Sequence, residues 1–160
     1  MVSALSSGLL RGKHLPMRSL LEVARGYAAT TPVDTVAPPA PGARTYIRLQ
    51  CTPTHDVWLI RWGPSGAVRL HDHGGSAGVF CVVEGELVEY RPDPADAGYL
   101  ARSIVGPADR RPMRASHIHE VVNEAATIAS SIHVYSPPLD KMSHYEVAGP
   151  DLGLVTAHAT

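Results

Sequence analysis

The sequence predicts an all-β domain, built as a sandwich or a small barrel of short strands. Its 160 residues are enough for one domain with a buried core. Glycine and proline, 14 of each, favour turns and short strands over long helices. From residue 44 onward, seven short apolar-rich segments follow one another with turn residues between most of them, which is typical of this class.

Ahead of the strands, one stretch has helical spacing. Ser19–Ala29, "SLLEVARGYAA", repeats apolar residues every three or four positions and contains no proline, so it predicts a short helix. Four prolines follow between Thr31 and Arg44, which indicates an extended wrap over the domain or a linker. We therefore divide the chain into residues 1–44, a helix with a Pro-rich segment, and residues 45–160, the barrel.

The seven segments read as strands in their order along the chain. The "EGE" of Glu84–Glu86 predicts a hairpin tip within the fourth of them. The predicted strands are RTYIRLQ (44–50), DVWLIRW (56–62), AVRLHDH (67–73), GVFCVVEGELVEY (78–90), YLARSIV (99–105), HEVVN (119–123) and TIASSIHVYS (127–136).

Charge and composition argue against several classes of protein. A net charge of −1 and a pI of about 6.7 give no basic surface for nucleic acid or an anionic membrane. No apolar run is long enough for a transmembrane helix. Cys51 and Cys81 form no disulfide framework, so we expect a reducing compartment, the cytoplasm. Basic residues precede the first acidic residue, Glu22, which leaves a transit peptide open, although no clear cleavage site is present.

Two histidines form the first candidate site. His71 and His73 alternate with Asp72, so on a strand both imidazoles lie on one face and can bind one metal ion. Imidazole suits Fe(II), Zn, Ni or Cu. The alternative for this pair alone is two exposed or core histidines.

A second polar row follows near the end of the strand region. Ser131, His133 and Tyr135 alternate, so on a strand their side chains face one way and can form a hydrogen-bonded relay. For this triplet alone, an ordinary polar strand face is the favoured interpretation.

The stretch around the histidine pair resembles the first cupin motif. In that motif three or four residues separate the second histidine from an acid, and six more residues separate the acid from a glycine; here Gly78 stands in the acid's slot, and Gly85 fits the glycine. The second cupin motif supplies one more histidine, and two candidates fit different halves of it. Asn123 favours His119, whereas the earlier half of the motif lies nearer His117. We take His119 and keep His117 as the alternative.

This choice gives three histidines, His71, His73 and His119, and no carboxylate. Three neutral ligands leave a divalent ion its full charge and three open octahedral positions, which suits an anionic substrate together with dioxygen. A structural zinc site would fill its fourth position from the protein.

Taken together, these motifs resemble the cysteine dioxygenase family of thiol dioxygenases. The similarity extends in order over about residues 45 to 145, and the Gly-rich "HDHGGSAG" resembles bacterial members. The matching elements are YIR (46–48), RWGPSG (61–66), HDHGG (71–75), HEVVN (119–123) and SIHVYSPP (131–138).

The resemblance implies a small cupin barrel of the jelly-roll type that holds Fe(II) and oxidises L-cysteine with O2 to cysteine sulfinic acid. It implies that the Ser136–Pro137 bond is cis, which an X–Pro bond allows at little cost. The roles it implies are iron ligation by His71, His73 and His119, a catalytic outer-sphere triad of Ser131, His133 and Tyr135, a carboxylate clamp at Arg48, and a pocket lined by Tyr46 and Trp62.

Other functions stay open at this point. The same chemistry could act on 3-mercaptopropionate or another small thiol acid. A different class is a non-catalytic cupin that binds a metal or ligand, although such a protein would not need the Ser–His–Tyr row. We expect a small thiol and O2 as partners, and a monomer or a weak homo-oligomer.

The glycine in the acid's slot has one further consequence. In animal members of the family this slot holds a cysteine, which bonds to the tyrosine matching Tyr135. Here Gly78 removes that thiol, and Cys81, three residues further on, lies on the opposite strand face. We therefore expect Tyr135 to stay uncrosslinked.

Overall fold

Two antiparallel sheets form the body of the protein in a computed structural model, which describes residues 14–96, 98–148 and 151–159. The basic residues Arg11 and Lys13 of the possible transit peptide lie outside the described residues. A helix, α1 (Met17–Thr30), precedes all the strands. The strands are β1 (Arg44–Cys51), β2 (Asp56–Trp62), β3 (Ala67–His71), β4 (Ala77–Glu84), β5 (Leu87–Pro92), β6 (Leu100–Val105), β7 (Arg110–Met113), β8 (His119–Val122), β9 (Ala129–Ser136), β10 (Lys141–Ala148) and β11 (Asp151–Ala159).

The strand order brings side chains of the two sheets together in one core. One sheet has the order β1-β2-β9-β4-β7, and the other has β11-β10-β3-β8-β5-β6. Side chains from both sheets meet in one buried cluster, including Trp62, Phe80 and Tyr135 from the first sheet and Val68 and Val121 from the second. The predicted all-β barrel is thus confirmed as a jelly-roll arrangement of two antiparallel sheets.

The predicted helix is confirmed and is slightly longer than expected. It follows Pro16 and ends before Thr31, next to another proline. Leu20 and Ala24, four residues apart, are fully buried against the outer face of the first sheet. Alternation along β2, β4 and β9 provides that outer face, because every second residue points away from the barrel interior. The sheet residues in the same buried cluster are Val57, Leu59, Val79, Cys81, Ile132 and Val134.

The Pro-rich segment follows the surface of the barrel. The Arg61 guanidinium donates a hydrogen bond to the Val36 carbonyl at 2.9 Å. The Gly42 amide donates to the Pro64 carbonyl at 2.7 Å. These contacts bring the chain to the start of β1. The division of the chain at residue 44 stays a prediction.

All seven predicted segments contain strands, but β7, β10 and β11 were not predicted. Their sequences are short, charged or weakly alternating, so no period of two stands out. The predicted hairpin at Glu84–Glu86 is wrong. Both edges of β4 are occupied by β9 and β7, so the turn at Gly85, with φ of +68°, leads the chain into the other sheet. No helix within the described ranges is long and apolar enough to span a membrane.

Candidate functional site

Three buried histidines converge between the sheets. His71 ends β3 and stands opposite His119, the first residue of β8, while His73 follows β3 in the next turn. One ring nitrogen from each of the three lies within 4.8 Å of the others. The predicted trio is therefore brought together by strand pairing across 48 residues of sequence, between positions 71 and 119.

Hydrogen bonds behind the rings determine which nitrogens face the centre of this cluster. His71 Nδ1 lies 2.7 Å from the Arg69 carbonyl, and His119 Nδ1 lies 2.8 Å from a Glu89 carboxylate oxygen. Both oxygens accept, so each Nδ1 carries the proton and each Nε2 keeps its lone pair for a ligand. Such backing is typical of metal-bound histidine.

The surroundings of His73 indicate whether a metal ion fits between the ring nitrogens of the three histidines. His73 is fully buried, and neither of its ring nitrogens has a hydrogen-bond partner among the described residues. An unpartnered buried imidazole costs free energy, which a bound divalent ion would remove. Burial also holds the pKa of His71 and His73 well below the usual value, so both rings are neutral, the form that binds metal. The residues present therefore fit such an ion.

A carboxylate lies directly behind the histidine cluster, although glycine occupies position 78, where the cupin motif has its acid. Glu89, on β5, is 1% exposed and accepts hydrogen bonds from His119 at 2.8 Å and from His117 at 3.1 Å. Burial alone would raise the pKa of Glu89, but these bonds outweigh it and lower the pKa to about 2. The negative charge missing around the three histidines thus lies one hydrogen bond away.

The two candidates for the third histidine have different surroundings. His119 lies with His71 and His73, whereas His117 donates from Nε2 to Glu89 and is partly exposed. Asn123, which favoured His119, is buried and donates to the backbone carbonyls of Trp62 and Thr127 at 2.9 Å and 2.7 Å. Its role is to hold the chain between β8 and β9 against the end of β2.

The Ser–His–Tyr row forms a relay that begins at a tryptophan. The Trp62 indole N–H donates to Ser131 Oγ at 2.8 Å, and Ser131 Oγ lies 2.9 Å from His133 Nε2. His133 Nδ1 lies 3.1 Å from the Tyr135 hydroxyl. The predicted relay is present, and Trp62 is part of it.

The donor and acceptor roles of these groups give the hydrogen-bond relay a direction. The Trp62 indole can only donate, so the Ser131 oxygen accepts, and within the described residues the Ser131 hydroxyl has one other partner, His133 Nε2. Burial lowers the pKa of His133 to about 3, so its ring carries one proton, on Nδ1, which is donated to the Tyr135 oxygen. The Tyr135 hydrogen is left free to point into the pocket. Burial also raises the pKa of Tyr135 above its usual value, which keeps that hydrogen in place.

A cavity of about 310 Å³ lies beside these groups. His71, His133 and Tyr135 line it, and the rings of His73 and Tyr135 are 5.1 Å apart, so the relay ends beside the histidine cluster. Predicted Tyr46 and Trp62 also line the cavity, Tyr46 from a largely exposed position at its mouth. The remaining lining residues are Arg44, Trp58, Ile60, Val68, Val121, Leu139 and Met142.

Arg48 is not among the residues that line this cavity, and its role as a clamp stays a prediction. Its side chain is exposed, with the guanidinium 5.3 Å from the centre of the Trp58 ring. Arg44 lines the cavity instead, four residues earlier on the same face of β1. Sequence reasoning missed Arg44, although its even spacing from Tyr46 and Arg48 was a usable signal.

The cysteine positions follow the predicted strand register. Gly78 pairs with Tyr135 across β4 and β9, whereas Cys81 pairs with Ile132 and faces α1. The Cys81 thiol lies 3.8 Å from the Ala24 carbonyl, so it points away from Tyr135 as predicted. The Ser136–Pro137 bond is cis, also as predicted. An uncrosslinked Tyr135 in the active protein stays a prediction.

Gly78 is the position where a small change should disturb the site. A Cβ atom there would lie 2.8 Å from the Val134 carbonyl and 2.9 Å from the Tyr135 ring. We expect Gly78→Ala to lower the free energy of unfolding by about 1–3 kcal/mol, the usual cost of overpacking a core. Thermal unfolding followed by circular dichroism measures this, with Gly26→Ala as control because a Cβ there meets nothing within 4 Å. Equal stability of the Gly78 variant and the native chain would contradict the close contact.

The chain is similar to known proteins in sequence and in fold. The family model described as cysteine dioxygenase type I matches residues 30–148. The TT1209 protein from Thermus thermophilus superposes with a TM-score of 0.57 at 23% identity, covering 68% of this chain and 96% of its own. A Klebsiella pneumoniae protein with a double-stranded β-helix domain gives 0.56 at 14% identity, covering 78% and 94%. A cupin-superfamily sugar phosphate isomerase from Silicibacter pomeroyi gives 0.53 at 20% identity, covering 74% and 76%. These structures show that the chain has the cupin fold.

Proposed function

The chain belongs to the cysteine dioxygenase type I family, and from this premise we propose that it is an Fe(II)-dependent thiol dioxygenase that oxidises L-cysteine with O2 to cysteine sulfinic acid. The reaction adds both oxygen atoms of O2 to the thiol sulfur and needs no other co-reactant. The family supports an oxygenase, and the site supports the thiol chemistry.

One observation carries the proposal: the histidine cluster and the hydrogen-bond relay meet at the same small cavity, which His71 lines from the cluster and His133 and Tyr135 line from the relay. His73 and Tyr135 lie side by side, with ring centres 5.1 Å apart. A metal-binding module would need the three histidines alone. The directed relay supports an enzyme, because it presents a proton donor to whatever lies beside the metal position.

Three histidines would hold the metal in the proposed enzyme: His71, His73 and His119. Fe(II), when bound there, supplies the redox chemistry with O2 and favours the thiolate form of the substrate. Because the three histidine ligands are neutral, the metal ion would keep its full positive charge to balance the negative charge of that thiolate. Bringing both reactants into one cavity replaces their encounter in solution with a reaction between neighbours.

The remaining pocket residues would orient the substrate and exclude water. The Trp58, Ile60 and Met142 side chains form apolar walls, so charged groups inside interact more strongly than in water. The Tyr135 hydroxyl would donate its hydrogen bond to the reacting thiol group. Ser131, His133 and Trp62 act through Tyr135, because they fix the direction in which its hydrogen points.

A panel of thiols tests the proposed function. The chain, loaded anaerobically with Fe(II), is mixed with O2 and L-cysteine, 3-mercaptopropionate or cysteamine, and both O2 uptake and sulfinate mass are measured. We expect one sulfinate per O2, with L-cysteine as the best substrate. A higher rate with 3-mercaptopropionate would reassign the substrate, and metal binding without O2 uptake for any thiol would favour the non-catalytic alternative.

Glu89 should govern how tightly the site holds metal. Glu89→Gln keeps the shape but removes the charge that backs His119, so we expect Fe(II) affinity to fall about 10–100-fold, as for other supporting partners of metal-bound histidine. Competition with a chromophoric chelator measures this without turnover. Glu120→Gln, on the same sheet and ion-paired with the exposed Arg69, is the control. An unchanged affinity in Glu89→Gln would leave Glu89 a purely structural residue.

A further inference from the structure

The ring of His73 is held differently from the rings of the other two histidines in the cluster. His71 Nδ1 lies 2.7 Å from the Arg69 carbonyl, and His119 Nδ1 lies 2.8 Å from a Glu89 carboxylate oxygen. Within the described ranges, neither ring nitrogen of His73 has such a partner, and His73 follows β3 rather than lying in it. The position of this ring therefore depends on packing and on what fixes the backbone of the turn that carries it.

Asp72, the residue before His73, connects this turn to β10. Asp72 Oδ1 accepts hydrogen bonds from the amides of Gly74 and Ser143, each at 3.0 Å. Asp72 Oδ2 accepts a hydrogen bond from the Tyr145 hydroxyl at 2.7 Å, and the Asp72 amide donates to the Ser143 carbonyl at 3.0 Å. One short side chain thus closes the turn on itself and also joins it to two residues of the neighbouring strand.

Strand β10 lies close to the turn at two further positions. His144 of β10 pairs with His71, the last residue of β3. Gly74 has a φ of +59°, and a Cβ atom there would lie 2.5 Å from Lys141 Cγ and 2.8 Å from the Lys141 carbonyl oxygen. A residue with a side chain would be strained at this φ and would push β10 away. Beyond the end of β3, the hydrogen bonds of Asp72 therefore continue the contact with β10 that strand pairing begins.

We propose that Asp72 is the positioning residue for His73. Its hydrogen bonds to β10 hold the turn where the ring of His73 meets those of His71 and His119, so that β10 supports the cluster without supplying a ligand. This inference rests on the metal site of the proposed function and deepens it. Hydrogen bonds to a carboxylate suit this task because they are short and strong. Supporting partners usually bond to the ligand ring itself, whereas here the support acts through the backbone of the preceding residue.

Four variants separate positioning from charge and from general stability. Asp72→Ala removes the acceptor for both amides and for Tyr145, whereas Tyr145→Phe removes one hydrogen bond. Asp72→Asn keeps the shape and one oxygen that can accept from both amides. Asp93→Ala is the matched control, because Asp93 Oδ1 also accepts from the amide two residues later, at Ala95, in the exposed loop between β5 and β6. Circular dichroism confirms that each variant is folded at the temperature of the measurements.

Competition with a chromophoric chelator gives the affinity of each variant for Fe(II) without turnover. We expect Asp72→Ala to lower this affinity about 10–100-fold, the range for residues that support a metal ligand. Tyr145→Phe should lose less than Asp72→Ala, Asp72→Asn should recover most of the loss, and Asp93→Ala should bind Fe(II) as the native chain does. Native affinity in folded Asp72→Ala would overturn the proposal. A loss in Asp72→Asn as large as that in Asp72→Ala would also overturn it, because the effect would then follow the charge rather than the position.

A measurement on the metal-free chain separates this inference from the proposed function. The ring centres of His73 and Tyr135 lie 5.1 Å apart, so NMR should show a nuclear Overhauser signal between their ring protons. We expect Asp72→Ala to lose this signal but to keep the one between Phe80 and His133, whose stacked rings are 5.2 Å apart.

That pair of signals would support the role of Asp72 even if the native chain bound no iron, in which case the proposed function alone would fail. An unchanged signal between His73 and Tyr135 in Asp72→Ala, or its absence from the native chain, would count against Asp72 whatever the enzyme assay gives.

Discussion

Replacing His73 with alanine is expected to abolish metal binding and thiol-dependent O2 uptake while the metal-free protein keeps its stability. His73 is fully buried, but neither ring nitrogen has a partner in the described structure, so its removal leaves no orphaned donor or acceptor. Losing one of three ligands should weaken metal binding beyond the roughly 10–100-fold that supporting residues contribute. Metal analysis after gel filtration and O2 uptake with L-cysteine measure the two effects.

His119→Ala should lose metal in the same way but should also be less stable, because Glu89 then keeps a buried charge with one partner fewer. Such a loss costs about 1–3 kcal/mol or more. His117→Ala is the matched control, since His117 shares the contact with Glu89 but lies outside the histidine trio. Retained metal in His119→Ala together with lost metal in His117→Ala would reverse the choice of third ligand.

Tyr135→Phe is expected to slow sulfinate formation by about 10²-fold, at the lower end of what a positioned proton donor contributes. The fully loaded variant should bind Fe(II) and thiol as the native protein does, because the hydroxyl contacts His133 rather than the rings of His71, His73 and His119. O2 consumed per sulfinate formed should rise, since reaction without the directed donor is less well coupled. Stopped-flow O2 uptake with product mass analysis gives both numbers.

Tyr99→Phe serves as control for the tyrosine change, because Tyr99 is 68% exposed and lies away from the cavity. A native rate and native coupling in Tyr135→Phe would reduce the Ser131–His133–Tyr135 row to a structural hydrogen-bond chain.

The Trp62→Phe variant is a second test of the same relay. It removes the N–H that sets the direction of the chain and should therefore reproduce part of the Tyr135→Phe uncoupling without removing the hydroxyl.

Local alternation explains why so much of the site was predictable. His71 and His73 lie two residues apart, as do Ser131, His133 and Tyr135, and a strand puts such neighbours on one face wherever the strand lies in the fold. The same rule placed Cys81 on the face opposite Tyr135. The helix near residue 20 was readable because its apolar face repeats at 3.6 residues.

Pairing between distant strands explains what was not predictable. The Glu84–Glu86 turn has the residues of a hairpin, but β4 had already paired on both edges, so the turn changes sheets. β10 and β11 carry weak alternation and depend on their neighbours in the sheet for their conformation. The order of strands in a sheet depends on which strand edges are still unpaired when each strand packs. The local sequence of a strand carries no information on this.

By itself the sequence determined the fold class and placed the His71–His73 pair and the Ser131–His133–Tyr135 row each on one strand face, because these depend on residue type and on the two-residue period of a strand. The tertiary structure alone decided which charged groups surround them. Glu89 reaches His119 because β5 pairs with β8, and Arg44 lines the cavity whereas Arg48, on the same face of β1, is not among its lining residues. A charge acts through space, so its effect is set by distance and burial, and both arise only when the sheets pack.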